Sequence, residues 1–120
     1  MSIQIDDVIG VHRRALELRT QRSEILAANL ANEDTPGFKA RDIDFAAEMR
    51  RLGSEGQGGL PAMQQPGLLY RVPSQPSQDG NTVELSVEQA EFSRNAMDFQ
   101  ASLNFLSMKF RGLKQAIEGK

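Results

Sequence analysis

Apolar residues recur along the last third of the chain with a seven-residue beat. Phe92, Phe99, Leu106 and Leu113 form one row, and Ala96, Leu103, Phe110 and Ile117 form a second, four residues further on. This alternation of threes and fours is the pattern of a helix lying along another helix. It predicts a helix over Ser86 to Glu118, roughly 50 Å long at about 1.5 Å per residue. Ser86 with Gln89 three residues later reads as a capping box, and Gly119 as the residue that ends the helix. Gly112 sits inside it at a cost of about 1 kcal/mol relative to Ala. Met97, Phe105 and Met108 fall outside both rows. One partner helix does not cover all of these, so contact with several neighbouring helices is expected.

A second periodic stretch opens the chain. Val8, Val11, Ala15, Leu18, Ile25 and Asn29 keep the same spacing, with Arg22 interrupting the seam, and Ile9, Leu16, Leu26 and Leu30 form an adjacent row. A helix is predicted from about Asp6 to Leu30, with Asp6 and Asp7 favouring its positive end. The expected fold class is therefore mainly α. Long N- and C-terminal helices pair as a coiled-coil-like hairpin, and an extended, Gly/Pro-rich middle joins them. Neither helix is stable in isolation, so the lone chain is expected to be marginal and to gain burial by assembly.

The segments fall at residues 1–31 (first helix), 32–52 (elbow with an extended or short helical stretch), 53–85 (Gly/Pro-rich linker) and 86–120 (heptad helix). In the linker, Gly53, Gly56, Gly58, Gly59, Gly67 and Gly80 mix with Pro61, Pro66, Pro73 and Pro76. That composition resists regular packing, and Gly56 to Gly59 are expected to be mobile. Tyr70 and Val72 suit a short extended segment, and Asp79-Gly80-Asn81 a tight turn before Thr82-Val83-Glu84-Leu85, which makes a small hairpin there possible.

Between the first helix and the linker lies a stiff corner. Asn32 suits the left-handed conformation that often ends a helix. Asp34 is placed to fold back onto the following backbone, and Pro36 pushes Thr35 toward extended geometry. Pro36-Gly37 matches the middle of a type II turn, with Gly taking the positive φ. Two asparagines, Asn29 and Asn32, stand on the last helical turn, where Asn is a poor interior helix former. They are expected to make hydrogen bonds at the elbow or to a neighbouring subunit.

Composition narrows the function classes. The 14 basic and 16 acidic residues are scattered and leave a net charge of −2, which argues against nucleic acid as a partner. No apolar run is long enough to span a bilayer, and the start MSIQIDDVIGVHRR lacks the features of a cleavable secretory signal. There is no cysteine, hence no disulfide and no thiolate metal site. Trp is absent and aromatics make up 6% of the chain, which favours a thin, elongated packing over a thick core. His12, the one histidine, reads as a surface or interfacial residue. Asp42 and Asp44 lie on one face if extended, but the three convergent ligands a cation needs are not evident. The glycines do not follow a phosphate-binding spacing. No catalytic residue, metal or cofactor is expected.

The stretch Asn29-Leu30-Ala31-Asn32-Glu33-Asp34-Thr35-Pro36-Gly37-Phe38-Lys39 resembles the signature shared by bacterial flagellar rod and hook axial proteins. Ala40-Arg41-Asp42-Ile43-Asp44-Phe45, Tyr70 to Pro76, Asp79 to Leu85 and Phe99 through Leu113 resemble the proximal rod members of that family. Phe38 stands where Tyr is common. The resemblance implies a structural subunit, exported unfolded through the flagellar type III apparatus without a cleavable signal and built into the rod in the periplasmic space. It implies helical assembly through the terminal helices, with Leu18, Ile25 and the two C-terminal rows as the seam. Asn29, Leu30, Asn32, Thr35, Pro36, Gly37 and Phe38 would form the elbow that fits a neighbour. The implied partners are other copies of the chain, other rod proteins, the FliE adaptor, the inner-membrane ring and the export gate. A soluble helical adaptor or chaperone that holds a partner helix in its apolar groove is the alternative reading.

Overall fold

Two long helices, α1 (Ser2–Ala31) and α3 (Leu85–Glu118), lie antiparallel and give the molecule its length. His12 meets Phe105, Ser23 meets Asn95 and Asn29 meets Glu88, so residue numbers fall along one helix as they rise along the other. Between them the chain forms strand β1 (Arg41–Asp42), helix α2 (Phe45–Glu55) and strand β2 (Leu69–Tyr70). This computed structural model describes residues 2–55 and 67–119. The extents are 64 × 32 × 18 Å and the radius of gyration is 18.1 Å. A compact chain of this length has a radius near 14 Å, so the molecule is the thin, elongated body its composition predicts.

Helix α1 begins at Ser2, a turn before the expected Asp6, and its first turn carries no acidic residue. Asp6 and Asp7 therefore lie in the second turn, beyond the reach of the end-of-helix dipole assigned to them. Among the described side chains of α1, Ala15, Leu18 and Leu26 are the buried apolar ones. Complete burial of a side chain such as Leu26 contributes about 1.5–3 kcal/mol. Ala40 and Ile43, from the extended stretch after the elbow, complete the core beside them.

The inward face of α3 is rotated by one residue from the pair of rows read in the sequence. Phe92, Phe99, Leu106 and Leu113 are half-buried, as a seam row should be. The row interleaved with them is polar: Glu88 and Asn95 are fully buried, and Ser102, one heptad on, is half-buried. Ala96, Leu103, Phe110 and Ile117 face away from α1 in the single chain. The cause is that Glu88 and Asn95 find hydrogen-bond partners on arriving elements, whereas a solvated Ala96 exposes only a methyl group.

Helix α3 starts without the expected capping box. Its N-cap is Glu84, whose side chain does not cap the helix. The Glu84 carboxylate instead accepts from Ser74 N at 2.7 Å and Ser74 Oγ at 2.6 Å. At the other end Gly119 is left-handed, φ 70°, and its N–H donates to Gln115 O, as expected. Helix α2 is opened by Asp44, whose Oδ1 accepts from Ala47 N at 3.1 Å. It runs past Gly53 to Glu55, and Gly56 to Gly59 lie outside the described residues.

The corner turns as its residues dictate. Phe38 N donates to Thr35 O at 3.2 Å, and Gly37 takes φ 75°, the sign a type II turn needs at that position. Asn32 is not left-handed, because no non-glycine among the described residues has positive φ. Its Nδ2 reaches back to Ala28 O at 2.7 Å while its Oδ1 accepts from Thr35 Oγ1 at 3.0 Å. This double engagement holds the helix end without a change of hand. The carboxylate that folds onto the backbone two residues on is Asp79, which accepts from Asn81 N, while Asp34 is exposed.

Strand β2 pairs antiparallel with β1, Arg41 opposite Tyr70 and Asp42 opposite Leu69. The small hairpin between Tyr70–Val72 and Thr82–Leu85 does not form. Thr82 instead lies along the Phe38–Ala40 stretch, its N donating to Phe38 O and its Oγ1 accepting from Ala40 N. Arg71 explains the choice of partner, because its side chain is drawn inward to acids on β1 and α3.

Candidate functional site

The elbow is knitted to both helices through one amide side chain. Asn29 Oδ1 accepts from Arg41 N at 3.1 Å, and its Nδ2 donates to Arg41 O at 2.7 Å and to Glu88 Oε2 at 2.9 Å. It acts as a one-residue strand edge along β1. Glu88, fully buried, also accepts from Arg71 Nε at 2.5 Å. Arg71 Nη2 then donates to Asp42 Oδ2 at 2.9 Å, and Arg22 binds both oxygens of Asp42 at 2.9 and 3.0 Å. Arg22 Nη2 also reaches Glu91 Oε2 at 2.7 Å. The residue that interrupts the first helix's apolar seam is thus the bridge between α1, β1 and α3.

Electrostatics follow from this mutual satisfaction. Burial by itself would push the Asp42 carboxyl up, but the bonds from Arg22, the Ile43 N–H and Arg71 outweigh it and hold it below its ordinary range. The bond to Asp42 raises Arg22 above its usual value against the effect of burial. Arg71 is raised as well: burial opposes, and Glu88 and Asp42 prevail. Buried charges in such a chain stay ionised only while every partner is in place.

Asn81 is the second knot. Its single Nδ2 lies 2.9 Å from Asn32 O, 2.8 Å from Glu33 O and 2.8 Å from Thr35 O, carbonyls of the corner just past the end of α1, where Asn32 O also accepts from Thr35 N and Thr35 O from Phe38 N. Its Oδ1 accepts from Val83 N at 2.7 Å. Gly37 N donates to Asp79 O at 2.9 Å, which ties the Pro-Gly turn to the same loop. The corner is therefore clamped from a segment nearly fifty residues away.

A third polar site lies along the hairpin. Asn95 Nδ2 donates to Arg19 O at 2.8 Å and to Ser23 Oγ at 3.0 Å, while Asn95 Oδ1 and Arg19 Nε have no partner. Burial lowers Arg19 from its usual value, with Asp98 at 3.4 Å opposing the shift. The Arg19 guanidinium sits 3.9 Å from the centre of the Phe45 ring, fastening α2 to α1.

The elbow residues read in the sequence divide by burial. Asn29 is buried, Leu30, Asn32 and Phe38 are half-buried, and Thr35, Pro36 and Gly37 form the exposed tip. Of the seam, Leu18 is buried and Ile25 half-buried against the inner row of α3, with the other row outside. Residues absent from that reading carry much of the architecture: Glu88, Asn95, Arg71 and Asn81. Glu88, Asn95 and Ser102 stand seven apart, the last two one step before Ala96 and Leu103, and that polar heptad beat beside the Phe92 row was the signal.

Exposed apolar residues continue on the outside of α3, with Ile117 at 86%, Met97 at 73% and Met108 at 63%. Large apolar patches on a small chain mark contact surfaces. His12 is half-buried with its ring 4.9 Å from that of Phe105. Asp42 is held in the ion network and Asp44 caps α2, so the pair does not converge on a cation. Among the described residues no group of three metal-ligating side chains exists, and no helix is long and apolar enough to cross a membrane.

A model of the flagella basal body rod protein family matches residues 9–39, which take in most of α1 and the corner. Similarity to curated proteins runs along the whole chain. It is 41% identical to the flagellar basal body rod protein FlgB of Salmonella typhimurium, over 97% of this chain and 96% of that one. Identity to FlgB of Aeromonas hydrophila is also 41%, over 100% and 99%. With FlgB of Cereibacter sphaeroides it is 45%, over 95% and 96%.

Proposed function

We propose, for a chain that belongs to the family of the flagellar basal body rod protein FlgB, that the paired terminal helices are its assembly surface and the exposed corner is set against a neighbour. The protein is a structural subunit of the flagellar basal-body rod and assembles with other rod components. The observation that carries the proposal is the outward row Leu103, Phe110 and Ile117, apolar along its length and uncovered in the single chain. Burying it on sister molecules supplies what the thin hairpin lacks. Contacts that do not close a ring then propagate as a helix.

The further partners follow from place in the rod: the FliE adaptor, the inner-membrane ring and the export gate at its base. The subunit works on the periplasmic side and arrives by the flagellar export route. A marginal, elongated hairpin suits that route, because it unfolds readily for passage and regains order in the lattice. The role is structural rather than catalytic. No observation favours a soluble adaptor.

Complementation of a strain that lacks the protein tests this reading. Leu103→Asp with Phe110→Asp should still be secreted yet fail to enter rods, and motility should be lost. Asn29→Ala with Asn32→Ala should likewise be secreted and fail in assembly. Normal swimming with the first double variant would overturn the assignment of the outer row.

A further inference from the structure

Helix α3 does not turn its most apolar face squarely onto α1. At about 100° per residue, Phe99 stands about 40° from Asn95 and Leu103 about 80°, both on the same side. The inward line through Glu88, Asn95 and Ser102 is polar, and the apolar surface is centred about 60° away from it. The hydrogen bonds that hold this phase lie on the polar line or beside it. Glu88 accepts from Asn29 Nδ2 and Arg71 Nε, Glu91 accepts from Arg22, and Asn95 Nδ2 donates to Arg19 O and Ser23 Oγ. One of these partners comes from neither helix. Arg71 follows β2 in the segment Gly67–Pro73 and carries that segment's hydrogen bonds to α3. The rest of the segment is lightly held. Leu68, Leu69, Tyr70 and Val72 are exposed, and the backbone is fixed by its short pairing with β1 and by Gly67 N donating to Glu48 Oε1 at 3.1 Å. A segment that buries so little apolar surface opens locally at low cost. With Arg71 withdrawn, Glu88 is a buried carboxylate facing one neutral amide, and a buried charge stripped of its ionic partner is strongly destabilising.

We propose that Gly67–Pro73 is a detachable strap and that its Arg71 sets the phase of α3. Docked, Arg71 holds Glu88 inward and leaves Ala96, Leu103 and Phe110 outside. Lifted, it releases Glu88 to solvent, and α3 turns by about 60° to lay its apolar rows on α1. The turn exchanges buried polar bonds for apolar burial, an exchange that is often neutral or favourable. The two packings therefore lie close enough in free energy for one side chain to decide between them. Asp42 keeps Arg22 as its partner in either packing, so lifting the strap strands no second charge. Exposure of the outer row is thereby governed by the strap. The inference concerns the lone chain and stands apart from the rod reading.

The chain has no cysteine, so a single engineered thiol reports the phase without background. Ala96→Cys probes the outer side of α3 and Ser102→Cys the inner, each a small change in volume. Each is made in the full chain with Arg71 and with Arg71→Met. Reaction with a soluble aromatic disulfide is timed at dilutions where the rate no longer depends on protein concentration. With Arg71 in place, the thiol at 96 should react faster than the thiol at 102. With Arg71→Met the order should reverse, the thiol at 96 reacting about tenfold more slowly, as when the turned packing outnumbers the observed one about ten to one. Adding Glu88→Leu should restore the first order, because an apolar side chain at 88 needs no ionic partner inside. Loss of a residue that merely stabilises the fold would instead speed both thiols together. Both thiols faster, or both unchanged, in Arg71→Met would overturn the strap's control of phase, and so would a reversal that Glu88→Leu fails to undo. Should Arg71→Met fail to fold by circular dichroism, Arg71→Lys replaces it, since it keeps the charge but lacks the fork that holds Asp42 and Glu88 at once. The same reversal is then expected, and the same contrary results overturn the proposal.

Discussion

Asn29 and Arg41 pair as two strands would, one side-chain amide taking both the N–H and the C=O of one backbone residue at 3.1 and 2.7 Å. The same amide holds the buried carboxylate of Glu88. A buried polar group left without its partner costs about 1–3 kcal/mol, more when charged. Asn29→Ala strands the Arg41 backbone and one bond of Glu88, so it should destabilise the chain by about 2–4 kcal/mol. Asn29→Asp should be worse, since it sets a second carboxylate against Glu88. Urea midpoints of the two variants decide this, and an Asp variant as stable as the Ala variant would contradict it.

Acid should loosen the elbow through Asp42. Its carboxyl is held below its ordinary value in the folded chain: burial works against this, and bonds from Arg22, Ile43 N–H and Arg71 overcome it. A group lowered on folding contributes stability that is complete above its unfolded value of about 4 and is lost as pH falls through the folded one. The urea midpoint should therefore be flat from neutral pH to about pH 5 and fall below that. Asp42→Asn should lower the plateau and flatten the fall. A variant with the same acid limb as the wild type would remove Asp42 from the explanation.

Asn95 makes the opposite case, because its Oδ1 is buried without a partner. Replacing both members of a buried polar pair by apolar groups is near neutral or stabilising. Asn95→Leu with Ser23→Ala should leave the hairpin within about 1 kcal/mol of the wild type, or more stable. A loss comparable to that of Asn29→Ala would show that the Asn95 bond to Arg19 O is a principal tie of the two helices.

Two glycines, each with open space where a Cβ would stand, should respond in opposite directions. Gly37 has φ 75°, where any side chain is strained, while Gly112 is in the interior of α3. Gly37→Ala should cost about 1 kcal/mol or more, and Gly112→Ala should gain about 0.5–1 kcal/mol. Thermal unfolding of the two single variants reads both signs directly.

Much of this arrangement is legible in the residues alone. Two long periodic stretches separated by a Gly/Pro-rich middle dictate a helical hairpin, because no other structure buries rows spaced by threes and fours. Pro36-Gly37 determines its own turn, since φ is set at one residue and freed at the next, and Gly119 ends its helix for the same local reason. What only the tertiary structure decided is the phase of α3 and the partners of the middle. Adjacent apolar rows share one period, so periodicity cannot choose which faces α1. The choice falls to Glu88 and Asn95, whose burial is favourable only when Asn29, Arg71 and Ser23 arrive from far along the chain. Likewise Leu69–Tyr70 pairs with Arg41–Asp42 rather than with nearer residues because Arg71 must reach Asp42 and Glu88 together. Turns and helix ends answer to neighbours in sequence; buried charge answers to neighbours in space.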